Sequence, residues 1–326
     1  MTGPELEVKH LKISFCGNGQ KLTAVNGISY SLNKGEILAI VGESGCGKTV
    51  SALSILRLIP EPPGRIESGN ILFNSMDLLK LSPRQLRDIR GRDISMIFQD
   101  PLTCLNPVLS LGDQITEPIL RHTSLSRKEA RERAIELLRR VEIPSPAEKM
   151  QQFPHQLSGG MRQRIMIAMA LSCSPRILIA DEPTTALDVL IQAQIIDLLE
   201  QLKEQTGMSV ILITHDLGIV TEIAQRVIVM YAGDIVESGP AKQMFHAPLH
   251  PYTLGLKNSV PKLGGNKEGR KHLTEIPGNV PSPNQLPAGC PFHPRCPSVM
   301  ERCKSEKPAL REAEPGHTVS CWLYQN

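Results

Sequence analysis

A glycine-rich loop between an apolar run and a helical pattern constrains this chain more than any other feature. The loop follows the apolar run 38–41 and reads Gly42-Glu43-Ser44-Gly45-Cys46-Gly47-Lys48-Thr49, a match to G-x-x-x-x-G-K-[ST]. Its glycines let backbone N–H groups converge on phosphate oxygens, and the following helix N-terminus adds partial positive charge. We therefore predict that residues 42 to Val50 bind ATP, with Lys48 on the β- and γ-phosphates and the Thr49 hydroxyl on Mg²⁺.

Two carboxylates end a second apolar run. Residues 177–180 lead directly to Asp181 and Glu182. Ligands of doubly wound sheets bind at the carboxyl ends of the strands, so this pair is predicted to lie at the phosphates. Asp181 is expected to hold Mg²⁺ directly or through water, and Glu182 to orient and deprotonate the attacking water. Because adjacent strand residues face opposite ways, the two carboxylates can take these different roles.

The apolar runs predict an α/β fold with a mixed sheet. Residues 6–13 alternate apolar and polar side chains, which indicates an N-terminal antiparallel β portion. The solid run 38–41 is typical of a central parallel strand. Helical patterns separate further short runs, which favours βαβ winding; these runs are 94–98, 177–180, 210–213 and 227–230. Strand signals vanish after Pro101, so an inserted helical subdomain is expected over about 101–165.

Length and charge limit the possible organisation and partners. With 326 residues, the chain can bury one α/β core and leave a small appendage. We predict an ATPase domain over 1–260 and a C-terminal cysteine-rich extension over 261–326. A formal net charge of +3 is too balanced for a surface that neutralises a run of nucleic-acid phosphates, so no nucleic-acid partner is expected. No signal peptide and no spanning run of about 18 apolar residues is recognised, so a membrane role must come through partners.

Further motifs carry a resemblance to a known family. Leu157-Ser158-Gly159-Gly160 resembles the signature sequence of ABC ATPases, and Gln99, in Ile97-Phe98-Gln99, resembles their Q-loop. Thr185-Ala186-Leu187-Asp188 resembles the D-loop, and His215 resembles the switch histidine. All lie in family order over about residues 5–250. The resemblance implies an ABC-type ATPase in which Gln99 and His215 act with Lys48 and Glu182, and in which Gln99 also reaches Mg²⁺.

The same resemblance assigns further nucleotide contacts. Phe15 is the aromatic residue expected to stack on adenine, although a ring that only packs in the first sheet is an equal alternative. Ser158, Gly159 and Gly160 form a second anion site at a helix start, too far along the chain to serve the same phosphate. The family resolves this by pairing head to tail, so that the loop of one subunit and the signature of its partner close on one ATP. Asp188 is placed at the same nucleotide.

Four cysteines crowd the C-terminal extension: Cys290, Cys296, Cys303 and Cys321. Four thiolates suit either Zn²⁺ or an iron–sulfur cube, and packing of four reduced thiols is a further alternative. Structural zinc sites usually contain cysteine pairs with C-x₂₋₄-C spacing. Successive cysteines here are separated by five, six and seventeen residues, so the spacing favours an iron–sulfur cluster over zinc. Cys46 is distant from this group; a small residue suffices there because the loop backbone binds, and a redox role is its alternative.

The extension narrows the resemblance to one branch of the family. Residues 288–297 and 246–253 resemble the ATP-binding subunits of peptide and nickel importers, whose dipeptide members have been associated with a [4Fe–4S] cluster. The resemblance implies a subunit at the cytoplasmic face of the cell membrane that powers peptide import. Its implied partners are a homologous ATPase, with a heterodimer favoured over a homodimer, two transmembrane permeases and, indirectly, a substrate-binding protein. A nickel importer, or a soluble ABC ATPase acting on nucleic acid or ribosomes, is the alternative.

Overall fold

A computed structural model describes residues 3–17, 20–100, 104–185, 187–259, 276–282 and 284–325. Its strands are β1 (Leu6–Gly17), β2 (Gln20–Leu32), β3 (Ile37–Val41), β4 (Gly64–Phe73), β5 (Met76–Asp77), β6 (Ile94–Ile97), β7 (Ile177–Asp181), β8 (Ser209–Ile213), β9 (Arg226–Tyr231), β10 (Asp234–Pro240), β11 (Arg311–Glu314) and β12 (His317–Val319). Its helices are α1 (Lys48–Ile55), α2 (Pro83–Ile89), α3 (Leu111–His122), α4 (Arg127–Arg140), α5 (Pro146–Lys149), α6 (Gly159–Ala170), α7 (Val189–Thr206), α8 (Leu217–Ile223), α9 (Ala241–His246), α10 (Pro251–Asn258) and α11 (Glu301–Ser305).

The chain divides into two compact units. The first unit comprises residues 1–32, 37–79 and 214–326, and the second comprises residues 33–36 and 80–213. Each unit contains strands and helices of its own. None of the helices within the described ranges is both long and apolar enough to span a membrane.

An antiparallel sheet opens the first unit. Strand β1 pairs with β2 on one side and with β4 on the other, and β5 extends β4 as a short hairpin. Period-2 alternation along β1 buries Leu6 and Val8 and, after a register shift between Val8 and Leu11, buries Leu11 and Ile13. The predicted N-terminal antiparallel β portion is thus confirmed.

The first unit also contains strands of mixed direction. Strand β3 runs parallel to β9, while β10 is antiparallel to β9 and to β12, and β11 is antiparallel to β12. All five residues of β3 are buried, as expected for an apolar run with both faces covered. This arrangement places the loop after β3 beside the end of β9, where the glycine-rich motif begins. The mixed sheet predicted from the apolar runs is confirmed.

The second unit combines three parallel strands with most of the helices. Strand β7 pairs with β6 and with β8, both in parallel. Helices α3, α4 and α6 pack against one another. Ser126 caps α4 in a reciprocal capping box with Glu129, which defines where the helix begins. The carboxyl end of β7 brings Asp181 to the edge of this sheet.

Candidate functional site

The glycine-rich loop is shaped by close backbone contacts. Gly42 and Gly47 have φ values of 152° and 100°, in the region that favours glycine. A Cβ atom on Gly42 would lie 2.3 Å from the Met230 carbonyl oxygen, and one on Gly47 would lie 2.4 Å from that of Ala24. The loop backbone therefore lies directly against its neighbouring strands, and only glycine fits at these two positions.

Lys48 begins α1 and folds back over the loop. Its Nζ donates to the carbonyl oxygens of Gly42 at 2.7 Å and Glu43 at 3.0 Å, and the residue is only 5% exposed. Thr49 and Val50 follow on the first turn and are half-buried, whereas Ser44 and Gly45 are exposed. The loop thus combines a held ammonium group with a helix N-terminus, which suits an anion.

Cys46 is a residue of the glycine-rich loop, and its buried side chain is a protonated thiol. The residue is fully buried, and its burial raises the pKa of the thiol, although Lys48 Nζ lies 3.8 Å from Sγ and acts in the opposite direction. Redox chemistry needs an accessible thiolate. This setting favours the structural interpretation of Cys46 over a redox role.

Glu43 has two partners that the sequence did not predict. Its backbone N–H donates to the Tyr252 hydroxyl at 2.8 Å. Its carboxylate accepts two hydrogen bonds from Arg295, at 2.7 Å from Nη1 and 3.0 Å from Nη2. Both partners lie far along the chain, in the segments that resemble the peptide-importer branch. That resemblance was the only available signal, and it assigned neither residue a role.

The second unit brings Gln99 and Glu182 together. Glu182 Oε2 accepts hydrogen bonds from Gln99 Nε2 at 2.9 Å and from the Thr185 hydroxyl at 2.8 Å. Glu182 adopts a φ of 46°, unusual for a residue other than glycine, and its N–H donates to the Ile213 carbonyl oxygen at 2.8 Å. Asp181, at the end of β7, is 2% exposed. At the end of β7, the Glu182 carboxylate therefore accepts hydrogen bonds from Gln99 and Thr185, and the buried Asp181 carboxylate precedes it in the chain.

The Leu-Ser-Gly-Gly stretch lies at the start of α6. Ser158 is the N-cap residue, and its Oγ accepts from the Met161 N–H at 3.4 Å. Ser158 and Gly159 are exposed. A Cβ on Gly160 would lie 3.1 Å from Ile191 Cγ2, so the helix start lies close to α7. These residues form an exposed helix N-terminus, whose partial positive charge suits an anion.

The other residues predicted to contact nucleotide, Asp188, His215 and Phe15, differ in their exposure to solvent. Asp188 is the exposed N-cap of α7, whereas Ala186 of the same motif lies outside the described residues. His215 is exposed, and the N–H of the preceding Thr214 donates to the Ile40 carbonyl oxygen in β3. Phe15 is half-buried, and a Cβ on Gly64 would lie 3.0 Å from its ring. An edge of the ring thus lies close to β4.

The four cysteines of the extension line one small cavity in the first unit, together with His250 and Phe292. Burial raises the pKa of Cys290 to about 11 and also raises the pKa of Cys296 and Cys321, so these thiols hold their protons unless a cation replaces them. Within the described ranges, no three His, Cys, Asp or Glu side chains are placed as a metal ion would require. The four cysteines are the right residue types to bind a zinc ion or an iron–sulfur cluster. In this structure, however, their side chains are arranged as packed thiols.

Comparison with known families and proteins gives consistent matches. The family described as ABC transporter matches residues 25–185, and the oligopeptide/dipeptide transporter C-terminal region matches residues 236–303. The dipeptide transport ATP-binding protein DppD of Bacillus subtilis is 53% identical over 318 residues, which cover 98% of this chain and 94% of that protein. The oligopeptide transport ATP-binding protein AppD of the same organism is 48% identical over 320 residues, with coverage of 98% and 97%.

Solved structures match the cassette part of the chain. The ATP-binding cassette MJ0796, solved as a dimer in a post-hydrolysis state bound to ADP and Pi, has a TM-score of 0.66 at 28% identity and covers 72% of this chain and 98% of that one. The protein cbiO1 from Clostridium perfringens, part of the cbiONQ transporter complex, has a TM-score of 0.63 at 28% identity, with coverage of 76% and 92%.

Proposed function

This chain belongs to the ABC transporter ATPases, in the branch that carries the oligopeptide/dipeptide C-terminal region, and we propose that it powers the import of peptides across the cytoplasmic membrane. The proposed substrate class rests on one observation. Relatives with about 50% sequence identity over almost the whole chain are named for dipeptide and oligopeptide transport. The sequence resemblance predicted this family, and the comparisons confirm it.

In the proposed reaction, Glu182 is the general base for the water that attacks the γ-phosphate. The two donors on its Oε2, Gln99 and Thr185, hold the carboxylate in a fixed orientation, as a base that must accept a proton from water requires. A positioned base of this kind contributes about 10²- to 10⁴-fold to a rate. His215 is proposed to assist at the γ-phosphate, and Phe15 to stack on adenine.

Lys48 is proposed to exchange its partners when nucleotide binds. Its ammonium group now bonds to two loop carbonyl oxygens, and phosphate oxygens carry more negative charge than carbonyl oxygens, so they compete effectively for it. The Thr49 hydroxyl, Gln99 and the buried Asp181 carboxylate are the oxygen donors that suit Mg²⁺. A magnesium ion held by these residues would neutralise the charge that develops on the phosphates.

The second half of the site is proposed to come from a partner subunit. The exposed N-terminus of α6, with Ser158, Gly159 and Gly160, would bind the γ-phosphate held by the loop of the partner, with Asp188 beside it. The dimeric state of MJ0796 supports the pairing of two ATPase chains, and the head-to-tail orientation is part of the proposal. A homologous but different ATPase chain is favoured as the partner.

The predicted division into an ATPase domain (1–260), a helical subdomain (about 101–165) and an extension (261–326) also stays a proposal.

Two permease subunits are proposed to dock beside the Q-loop, at the cytoplasmic face of the membrane, with a substrate-binding protein delivering the peptide. Pro101–Thr103, shortly after the Q-loop, lie outside the described residues. Nearby Val108 and Leu109 are 77% and 40% exposed, and exposed apolar residues of this kind favour a protein contact.

The cysteine extension is proposed to bind a [4Fe–4S] cluster in a structural role, with Zn²⁺ as the alternative. The support is the convergence of Cys290, Cys296, Cys303 and Cys321 on one cavity. A thiolate-bound group supplies the cross-link that a small loop-rich module needs.

Transport in cells tests the peptide assignment. A strain that lacks this gene but retains the permeases and the partner ATPase should regain uptake of a labelled dipeptide when the wild-type chain is supplied, and not when Lys48→Ala is supplied. Restored uptake of nickel without uptake of any peptide would assign the chain to the other importer class. ATPase stimulation by nucleic acid, without dependence on the permeases, would support the soluble alternative.

A further inference from the structure

Arg295 of the cysteine extension makes a forked ion pair with the phosphate-binding loop. Its two terminal nitrogens lie 2.7 Å and 3.0 Å from the two carboxylate oxygens of Glu43. The Arg295 side chain is 5% exposed and that of Glu43 is 31% exposed, so water screens this pair less than a surface pair. Two parallel hydrogen bonds also fix direction, which a single contact does not.

Arg295 is itself held from several sides. Its Nε donates to the Pro277 carbonyl oxygen at 3.0 Å, and Nη2 also reaches the Ile276 carbonyl oxygen at 3.3 Å. Its guanidinium lies 5.9 Å from the Tyr231 ring centroid and 6.0 Å from that of Phe292. A guanidinium with this many partners is a rigid anchor rather than a mobile surface charge.

The cysteines determine where this anchor lies. Arg295 ends the short 3₁₀ turn His293–Arg295, between Cys290 and Cys296. The Arg295 N–H donates to the Phe292 carbonyl oxygen at 3.0 Å, and the Cys290 N–H donates to that of Cys303 at 2.8 Å. The backbone that carries Arg295 is therefore part of the cysteine cavity wall.

A second contact links the same regions. The Tyr252 hydroxyl accepts from the Glu43 N–H at 2.8 Å, and the Tyr252 ring packs against Tyr231 and Phe292 with centroid distances of 4.7 Å and 5.4 Å. Glu43 is thus held through its backbone by Tyr252 and through its side chain by Arg295. Its neighbour Gly42 supplies a carbonyl oxygen to Lys48, so restraint on Glu43 acts directly on the loop that must bind phosphate.

We propose that Arg295 is a positioning residue of the nucleotide site, and that through Glu43 the cysteine extension keeps the phosphate-binding loop in its binding conformation. The inference rests on the proposed binding of ATP to the loop. Because the pair contacts the loop and not Glu182, its loss should weaken nucleotide binding and raise KM for ATP, while kcat at saturating ATP changes little. A loop that must be ordered on binding has lower affinity than one already held.

The test uses the full-length chain as wild type, Arg295→Met, Glu43→Gln, the double variant and Arg295→Lys. We expect Kd for MgATP and KM to rise about fivefold in Arg295→Met, which corresponds to a coupling of about 1 kcal/mol. Glu43→Gln should give a similar rise, and the double variant should be no worse than the poorer single variant. Arg295→Lys, which keeps the charge but loses the fork, should recover part of the affinity. Lys304→Met is the matched control, because Lys304 pairs with Glu301 on the exposed surface of the same extension.

Three results would overturn the inference. The first is an unchanged Kd in Arg295→Met and Glu43→Gln; the second is additive effects in the double variant; the third is a fall in kcat alone, which would mean only a smaller folded fraction. Glu43→Gln keeps the test decisive if Arg295→Met fails to fold, because glutamine removes the negative charge and one of the two hydrogen-bond acceptors from the loop side of the pair. Wild-type protein that fails to bind MgATP would overturn the proposed function itself, a result distinct from normal wild-type binding with unaffected variants.

Discussion

Glu182 Oε2 lies 2.9 Å from Gln99 Nε2, so the carboxylate after β7 is joined to the amide that follows β6. The two residues are 83 positions apart and meet because their strands are parallel neighbours. A hydrogen bond from a neutral amide holds a carboxylate in place without neutralising its charge through a salt bridge. This is the arrangement that a general base needs.

Glu182→Gln should abolish turnover and leave ATP binding intact. Glutamine has the same size and its side-chain oxygen can still accept from Gln99 and Thr185, but it cannot take a proton from water. We expect kcat to fall about 10³-fold with Kd for MgATP unchanged, measured by phosphate release and by equilibrium binding. Glu204→Gln, an exposed change on α7, is the control. Turnover within twofold of wild type in Glu182→Gln would remove this residue from the role of base.

Gly42→Ala should eliminate nucleotide binding, whereas Gly45→Ala should preserve most of it. Both glycines have positive φ, but only a Cβ at Gly42 meets backbone, at 2.3 Å from the Met230 carbonyl oxygen; at Gly45 nothing lies within 4 Å. Gly45→Ala therefore carries only the conformational cost of about 1–2 kcal/mol. Equilibrium binding of MgATP, with thermal unfolding of each variant, separates loss of affinity from loss of fold. Equal affinities of the two variants would contradict the close-contact argument.

Patterns of apolar and polar residues over short stretches of sequence predicted individual strands of this protein. The apolar run before Gly42 became β3, and the alternation from Leu6 became β1. In each case a repeating side-chain pattern determines which face is buried, so the element can be predicted without knowledge of the rest of the chain.

Long-range polar contacts could not be predicted in this way. Arg295 and Glu43 are 252 positions apart, and Tyr252 and Glu43 are 209 apart. A single arginine or tyrosine in a loop has no periodicity that identifies its partner. The acidic end of an apolar run identified Glu182 and the motif resemblance identified Gln99, but neither predicted the hydrogen bond from the Thr185 hydroxyl to Glu182.

Arg164→Met should destabilise the helices that carry the signature stretch. Arg164 on α6 donates to the Val141 carbonyl oxygen at 3.0 Å and to Glu142 at 2.8 Å, and it also reaches Gln194 on α7. Because Val141 is fully buried, its carbonyl oxygen would lose a partner that water does not replace. We expect a loss of about 2 kcal/mol in the free energy of unfolding, measured with urea. Arg131→Met, an exposed change on α4, should be neutral; an equal loss in both variants would contradict a specific role for Arg164.

Cys303→Ser should remove the proposed cluster. Cys303 lines the same cavity as Cys290, Cys296 and Cys321, and serine is a poor ligand for iron. Protein purified without oxygen should contain iron and sulfide and absorb visible light in the wild type and in the control Cys104→Ser, whose residue is exposed. Both signals should be lost in Cys303→Ser, together with a fall in Tm, because the small extension loses its cross-link. Zinc without iron in the wild type would identify the alternative metal, and the absence of both would leave four packed thiols as the correct interpretation of the cavity.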